Sequence, residues 1–363
     1  MVAASDDAGG IYEDGAGAFA EKVSSGLEGW LVGGAFVGAF LLTGGVRLLA
    51  LRRNMLDIPN ERSSHTKPTP RSGGIGFLIA FLVGITLLVV AQSIAVNSYL
   101  ALLVGAIIVA ATGYVDDARS LSPYFRLVLQ LAAAIIGVVL VGGLPVLDLG
   151  FVVIEWGWVG HIAAVLGVVW LINLYNFMDG IDGIAASEAV FVGAVGGALL
   201  LNAGGGGDVW VAWMLAAACL GFLLWNWSPA RIFMGDVGSG FLGYTWGILI
   251  LITSNKHPVL LWVWLILLGV FLIDTLVTLI NRIRRGERWH EAHRSHAYQH
   301  ATRRVGSHAR VMLAVLAINV VWLLPCAAAV QAFPRLIVPI GVVTILPLLA
   351  LAIYFRAGTE QPK

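Results

Sequence analysis

Apolar residues run in long blocks along this chain, and polar residues gather in the gaps between them. A helix that crosses a bilayer needs about 20 apolar residues. Blocks of that kind predict eleven helices, at 29–50, 74–94, 98–115, 125–143, 157–174, 184–202, 209–226, 238–254, 258–280, 309–330 and 335–355. Only 146–155 shows strand-like alternation, and it predicts a small hairpin. Segment 1–28 is acidic and lacks the basic start of a signal peptide, so it reads as an N-terminal arm.

Eleven spans put the termini on opposite sides. With the N-terminus outside, every Lys and Arg of the 22 except Lys22, Lys256 and Arg335 falls on the inner side. That bias orients the chain. The expected fold is an all-α polytopic membrane protein with about eleven transmembrane helices. Residues 1–28 form an extracytoplasmic arm, 29–356 a single transmembrane domain and 357–363 a short cytoplasmic tail. Composition agrees. Of 363 residues, 59% are hydrophobic and 12% charged, against about 25% charged in a soluble domain. Two cysteines exclude a disulfide scaffold, and a net charge of +1 gives no nucleic-acid signal.

The orientation gathers five polar loops on the inner side. The second holds Asp116, Asp117 and Arg119. Adjacent carboxylates repel, so they suit a divalent metal or a general base; alternatively they are solvated acids at a helix end. The third repeats Asn173, Asn176, Asp179 and Asp182 at intervals of three, ending in Asp-Gly pairs. Carboxylate and amide oxygens suit hard cations such as Mg²⁺, and they can also read a base or ribose. The fourth frames Asp236 with Gly235, Gly238 and Gly240, glycines expected to let backbone approach a ligand.

The first loop, with Lys67 and Arg71, and the fifth, with His290, His293, Arg294, His296 and His300, supply cations. Acids and Mg²⁺ facing cations are the usual equipment of phosphoryl transfer. No Cys/His spacing supports zinc in the fifth loop. Arg282, Arg284 and Arg285 read as membrane-orienting charges that touch anionic lipid. Asp274 lies within a span, where an acid needs a partner. Thr278 and Arg282 are the candidates.

In order along the chain, Asp57–Gly74, Val115–Arg119, Asn173–Gly183, Met234–Ser239 and Arg294–His296 resemble one family. It is the polyprenyl-phosphate N-acetylhexosamine-1-phosphate transferases, glycosyltransferase family 4. The resemblance implies an enzyme of the bacterial inner (cytoplasmic) membrane whose site faces the cytoplasm. Its reaction joins undecaprenyl phosphate and a UDP-N-acetylhexosamine to give the lipid diphospho-sugar and UMP. The cofactor implied is Mg²⁺, with Mn²⁺ able to substitute, and the partners include membrane lipids and a second copy of the chain.

By the same resemblance, Asp236 and Asn176 are the metal ligands, and Asp116, Asp117, Asp236 and His296 the catalytic set. Lys67, Arg71, Asn173, Asp179, Asp182 and Arg294 are the substrate-binding set, with Asp182 at the uracil position. Many relatives carry His-x-His-His in the fifth loop. This chain has His296-Ala297-Tyr298-Gln299, which resembles the branch that starts O-antigen-type polysaccharides. A transporter or flippase of a phosphorylated solute is the alternative. Transport sites lie near the midplane, whereas these clusters lie at one surface.

Overall fold

The computed structural model describes residues 10–59, 67–287 and 293–359, with side chains from residue 26 onward. Glu61, Arg62, His65 and His290 lie outside the described residues. Helix α1 (Gly10–Arg52) joins the arm and the first span in one rod. A two-residue antiparallel pair, β1 (Leu56–Asp57) and β2 (Thr69–Pro70), closes the first loop. Then come α2 (Gly74–Val90), α3 (Val96–Arg119) and α4 (Pro123–Val141). The expected hairpin follows as β3 (Leu147–Asp148) and β4 (Val153–Ile154), with Leu147 opposite Ile154. Next are α5 (Gly157–Met178), α6 (Ile184–Asn202), α7 (Asp208–Asn226) and α8 (Asp236–Lys256). The chain ends with α9 (Val259–Leu267), α10 (Gly269–Arg284), α11 (Ala297–Val305), α12 (His308–Ile318), α13 (Leu324–Ala332) and α14 (Ile337–Tyr354).

Among the described residues, nine helices are long and apolar enough to cross a membrane, or ten if the bent pair α9–α10 counts as one span. The remaining apolar block is the shorter α2. Each of these matches one block of the hydropathy pattern, so the fold is an all-helical polytopic membrane protein.

Two spans depart from straight rods. The block at 258–280 is broken at Leu268, and α9 and α10 meet at 73°. Helix α9 is apolar throughout, whereas α10 buries Asp274, Thr275, Thr278 and Arg282 along one face. The bend separates the two and carries that face toward polar partners. The tenth block is continuous but contains a π-helical turn, Asn319–Leu323, between α12 and α13. Pro325 follows it. Proline has no N–H and crowds the preceding turn, so the ladder shifts register there.

Helix α8 is the axis of the bundle. Every residue from Val237 to Ser254 is buried. It packs between α3 and α5. Some of its polar groups find partners inside the protein, as hydrocarbon surroundings favour, whereas the Thr245 and Ser254 hydroxyls and the Trp246 ring N–H are buried without one. Tyr244 donates to the carbonyl of Ala101 at 2.8 Å, and Trp264 donates to Thr253 at 2.9 Å.

Close packing sets the end of α8. A Cβ on Gly113 of α3 would lie 2.4 Å from the backbone carbonyl of Asp236. No side chain fits between the two helices at this point. Gly113→Val should therefore destabilise the protein by about 1–3 kcal/mol or more, seen as a lower Tm in detergent. Gly34→Ala, with nothing within 4 Å of its Cβ position, should leave Tm unchanged.

Candidate active site

Backbone hydrogen bonds join the polar loops. Phe233 donates to the carbonyl of Pro70, and Gly73 to that of Phe233, both at 2.8 Å. Gly74 donates to Met234 at 2.9 Å. The first loop is thus zipped to the fourth. Asn226, buried at the end of α7, joins the third to the fourth. Its Oδ1 accepts from Gly183 N–H and its Nδ2 donates to Ile232 O, each at 3.0 Å.

The acidic pair divides its work. Asp117 is only 8% exposed and points away from solvent. Its Oδ1 accepts the backbone N–H of Asp236 at 3.1 Å, and its Oδ2 accepts the Ser72 hydroxyl at 3.0 Å. A helix N-terminus presents unpaired N–H groups and positive dipole. Asp117 caps α8 from a different helix. Gly235 makes this reachable. Its φ is +74°, and a Cβ there would lie 2.5 Å from the Asp117 carboxylate. Gly235 and Gly238 accommodate protein neighbours, a different service from the ligand approach expected from sequence, whereas Gly240 lines the cleft.

Asp116 faces a cleft instead. Its Oδ2 is in ion-pair contact with Arg126, and its Oδ1 accepts the N–H of Leu121 at 2.6 Å. The same Arg126 nitrogen reaches Asp236 Oδ2 at 3.4 Å. Arg126 thus bridges the two acids. The cleft, about 380 Å³ including its open side, is lined by these three with Thr112, Gln130, Asn173 and Asn176.

Asn173 donates to Gln130 at 2.9 Å and to Val169 O at 2.8 Å. Asn176 donates to the Ser239 hydroxyl at 3.3 Å, which turns it toward the start of α8. Half-buried Asp179 follows. Burial, then the nearby charges of Asp236, Asp117 and Asp182, push its carboxyl well above the ordinary range. Asp182 differs. Burial favours its neutral form, but hydrogen bonds from His308, Ser228 and Ala230 N–H outweigh that and hold it below the ordinary range. Its Oδ2 lies 3.3 Å from His308 Nδ1 and 3.2 Å from Ala230 N. That carboxylate staples three segments together.

The fifth loop lies against the third. Asp274 accepts from Thr278 at 3.1 Å, as its placement in the span anticipates. It also accepts Ala297 N–H at 2.9 Å and Tyr298 N–H at 3.0 Å, and lies 3.2 Å from His296 Nδ1. These contacts fix the start of α11. Tyr298 Oη donates to Phe177 O at 2.9 Å, between Asn176 and Asp179 in the chain. His296, 3% exposed, packs with His293 and Phe177. Tyr298 and Gln299 replace the family's second and third histidines, and Gln299 accepts His296 N–H at 3.2 Å.

Arg294 is half-buried, with its carbonyl accepting from Arg303. Arg71 lies near enough to Asp117 to act on its charge, whereas Lys67 is exposed. Arg282 departs from the lipid-facing expectation. It is buried, and its Nε pairs with Glu287 at 2.8 Å, because the bend at Leu268 turns its face inward.

Among the described residues, no group of three or more His, Cys, Asp or Glu side chains forms a metal cage. Mg²⁺ needs none. It commonly takes one or two carboxylates and fills the rest with water and phosphate oxygens. The oxygen donors of Asp236 and Asn176 fit that demand. Asp236, Asp117 and Asp182 lie near enough to act on the charge of Asp179, a gathering of acids that a divalent cation would relieve.

Residues 99–254 match the model of glycosyl transferase family 4. The chain is 34% identical over 252 residues to a probable undecaprenyl-phosphate N-acetylglucosaminyl 1-phosphate transferase of Bacillus subtilis, covering 67% of this chain and 68% of that one. The chain belongs to glycosyl transferase family 4. It is also 31% identical over 312 residues to a decaprenyl-phosphate N-acetylglucosaminephosphotransferase of Mycolicibacterium smegmatis, covering 76% and 75%. A phospho-N-acetylmuramoyl-pentapeptide-transferase of Moorella thermoacetica is 34% identical over 227 residues, covering 59% and 69%. The family 4 match spans every acid of the second, third and fourth loops and ends before the fifth.

Sequence alone counted Arg126 only as an inner charge and gave no role to Gln130, Ser72, Asn226 or His308. All five contact the acids or the loops that carry them. The division within the acidic pair is testable in this family 4 transferase. Asp117→Ala should cost about 1–3 kcal/mol of stability by orphaning the Asp236 N–H and the Ser72 hydroxyl, read as a lower Tm. Asp116→Asn, whose neighbour Arg126 keeps Asp236 as a partner, should hold Tm closer to wild type.

Proposed function

We propose that the chain transfers N-acetylhexosamine-1-phosphate from a UDP-sugar to undecaprenyl phosphate, releasing UMP. The observation that carries this reading is the bridge Asp116–Arg126–Asp236 in a cleft lined by Asn173 and Asn176. Acid, amide and guanidinium groups meet there at one end of the spans, where a lipid phosphate arrives from the membrane and a nucleotide sugar from water. The positive-inside bias supports a cytoplasmic position for that end, and the bacterial relatives favour the inner membrane as its place. N-acetylglucosamine is the favoured sugar, since two of the relatives act on it by name. The step is the first membrane step of O-antigen or a related surface polysaccharide.

A phosphate oxygen of the lipid attacks the sugar-linked phosphorus of the donor. A new P–O–P bond forms as the old one breaks, and UMP leaves with the bridging oxygen. A phosphate monoester has its second pKa near about 6, so it is largely ionised at neutral pH and needs little help from a base. Asp236 and Asn176 would hold Mg²⁺. When bound, that ion screens the diphosphate and stabilises the charge on the leaving group. Arg126 supplies a second positive group. Asp116 holds Arg126 in place, and Asp117 fixes the start of α8 and so the position of Asp236. Arg294 makes charge-assisted bonds to the diphosphate, and Asp274 orients His296 toward it.

The test is UMP release by detergent-purified protein given undecaprenyl phosphate, Mg²⁺ and a panel of UDP-sugars, with no membrane gradient. UDP-N-acetylglucosamine should be turned over. No release from any UDP-sugar would overturn the reading. Asp236→Asn should abolish turnover and leave the protein folded, whereas near-normal release at saturating Mg²⁺ would remove its role.

Arg294→Ala and His296→Ala should each lower kcat/KM more than Arg284→Ala. A lost charge-assisted bond to phosphate costs about 1.5–3 kcal/mol, roughly tenfold or more in rate. Equal damage from Arg284→Ala would mean that the loop acts through general charge alone.

A further inference from the structure

A second cavity lies away from the cleft, among α10, α11, α12 and α14, and it shares no lining residue with the first. It measures about 820 Å³ including its open side. Its walls are hydrocarbon, from Val270, Ala314, Val315, Leu348 and Ala352. Asp274 and Tyr298 reach it, but the Asp274 carboxylate is already engaged by His296, Thr278 and two backbone N–H groups. The deep part therefore offers an apolar ligand nothing polar to satisfy.

The mouth is different. Arg310, in the first turn of α12, lines the cavity and is exposed. Arg304, in the last turn of α11, is exposed and lies over the Tyr354 ring at 5.1 Å. Arg356 stands just beyond α14 and is also exposed. No Asp or Glu occurs between Ala297 and Ile318, or between Ile337 and Thr359. Positive charge at the rim is thus uncompensated by acids of the same segments.

We propose that this cavity binds an anionic glycerophospholipid. One acyl chain fills the apolar pocket, and the phosphate sits on Arg304 and Arg310. An apolar slot inside a membrane helix bundle suits a hydrocarbon chain, and guanidinium groups pair with phosphate oxygens. A basic residue near an anionic membrane surface contributes about fivefold in affinity. Two of them set an expected preference of at least about tenfold over a zwitterionic lipid of the same chains. The bound chain would touch the same Asp274 and Tyr298 that hold the start of α11.

The test is native mass spectrometry of the full chain in detergent, titrated with 1-palmitoyl-2-oleoyl-phosphatidylglycerol or the matching phosphatidylcholine. Wild type should retain phosphatidylglycerol at least about tenfold more tightly. The double variant Arg304→Gln, Arg310→Gln should lose that preference, and Ala314→Trp, which fills the pocket, should lose retention of both lipids. Excess undecaprenyl phosphate should not displace phosphatidylglycerol. Equal retention of the two lipids by wild type, or an unchanged preference in the double variant, would overturn the proposal. So would displacement by undecaprenyl phosphate, which would make the cavity the polyprenyl groove. If Ala314→Trp fails to fold, the double surface variant decides alone. None of these readouts depends on turnover.

Discussion

The cap that Asp117 places on α8 is the contact on which the rest of the site depends. Helix α8 is buried from Val237 to Ser254, so the N–H groups at its start need partners from the protein. A carboxylate from α3 meets them, and Gly113 and Gly235 allow the approach. The first residue of that helix is Asp236. Its backbone position follows from the contact of its N–H with the Asp117 carboxylate. Ser72 completes the arrangement from the first loop. Through Gly73, Gly74 and Phe233, that loop is bound to the fourth. Three polar segments distant in sequence therefore share one origin.

The same economy holds at the rim. Asp182 ties the third loop to the fourth and to α12, while Asp274 ties α10 to α11. Acids inside a membrane protein are costly unless paired. Here each paired acid spans two or more elements. Asp116 and Asp236, held together by Arg126, face the cleft instead.

Much of this was legible in sequence. Hydropathy gave every apolar block and the 146–155 hairpin, because span length and alternation are local properties. The motif residues Asp116, Asp117, Asn176 and Asp236 were legible as a group through the one-sided gathering of the polar loops and the family resemblance. Their division of labour was not. Asp116 and Asp117 are adjacent and chemically identical, and only the approach of α8 assigns one to the cap and the other to the cleft. Arg126 looked like any inner charge, since nothing near it in the chain predicts that it bridges two acids on α3 and α8. The break at Leu268 was hidden because α9 and α10 together read as one apolar block. Arg282 was misread with it.

A frame of fixed acids has a chemical consequence. Both oxygens of Asp116 are engaged, one by Leu121 N–H and the other by Arg126. Asp117 is engaged by α8. Neither is well placed to act as a nucleophile, which favours the proposed direct attack of the lipid phosphate on the donor, within an electrostatic frame that the acids hold still. The direct measurement is a single-turnover experiment with purified enzyme, Mg²⁺ and UDP-N-acetylglucosamine, but no lipid acceptor. The account predicts no UMP until undecaprenyl phosphate is added. A burst of UMP equal to the enzyme present, with sugar phosphate bound covalently to the protein, would contradict it.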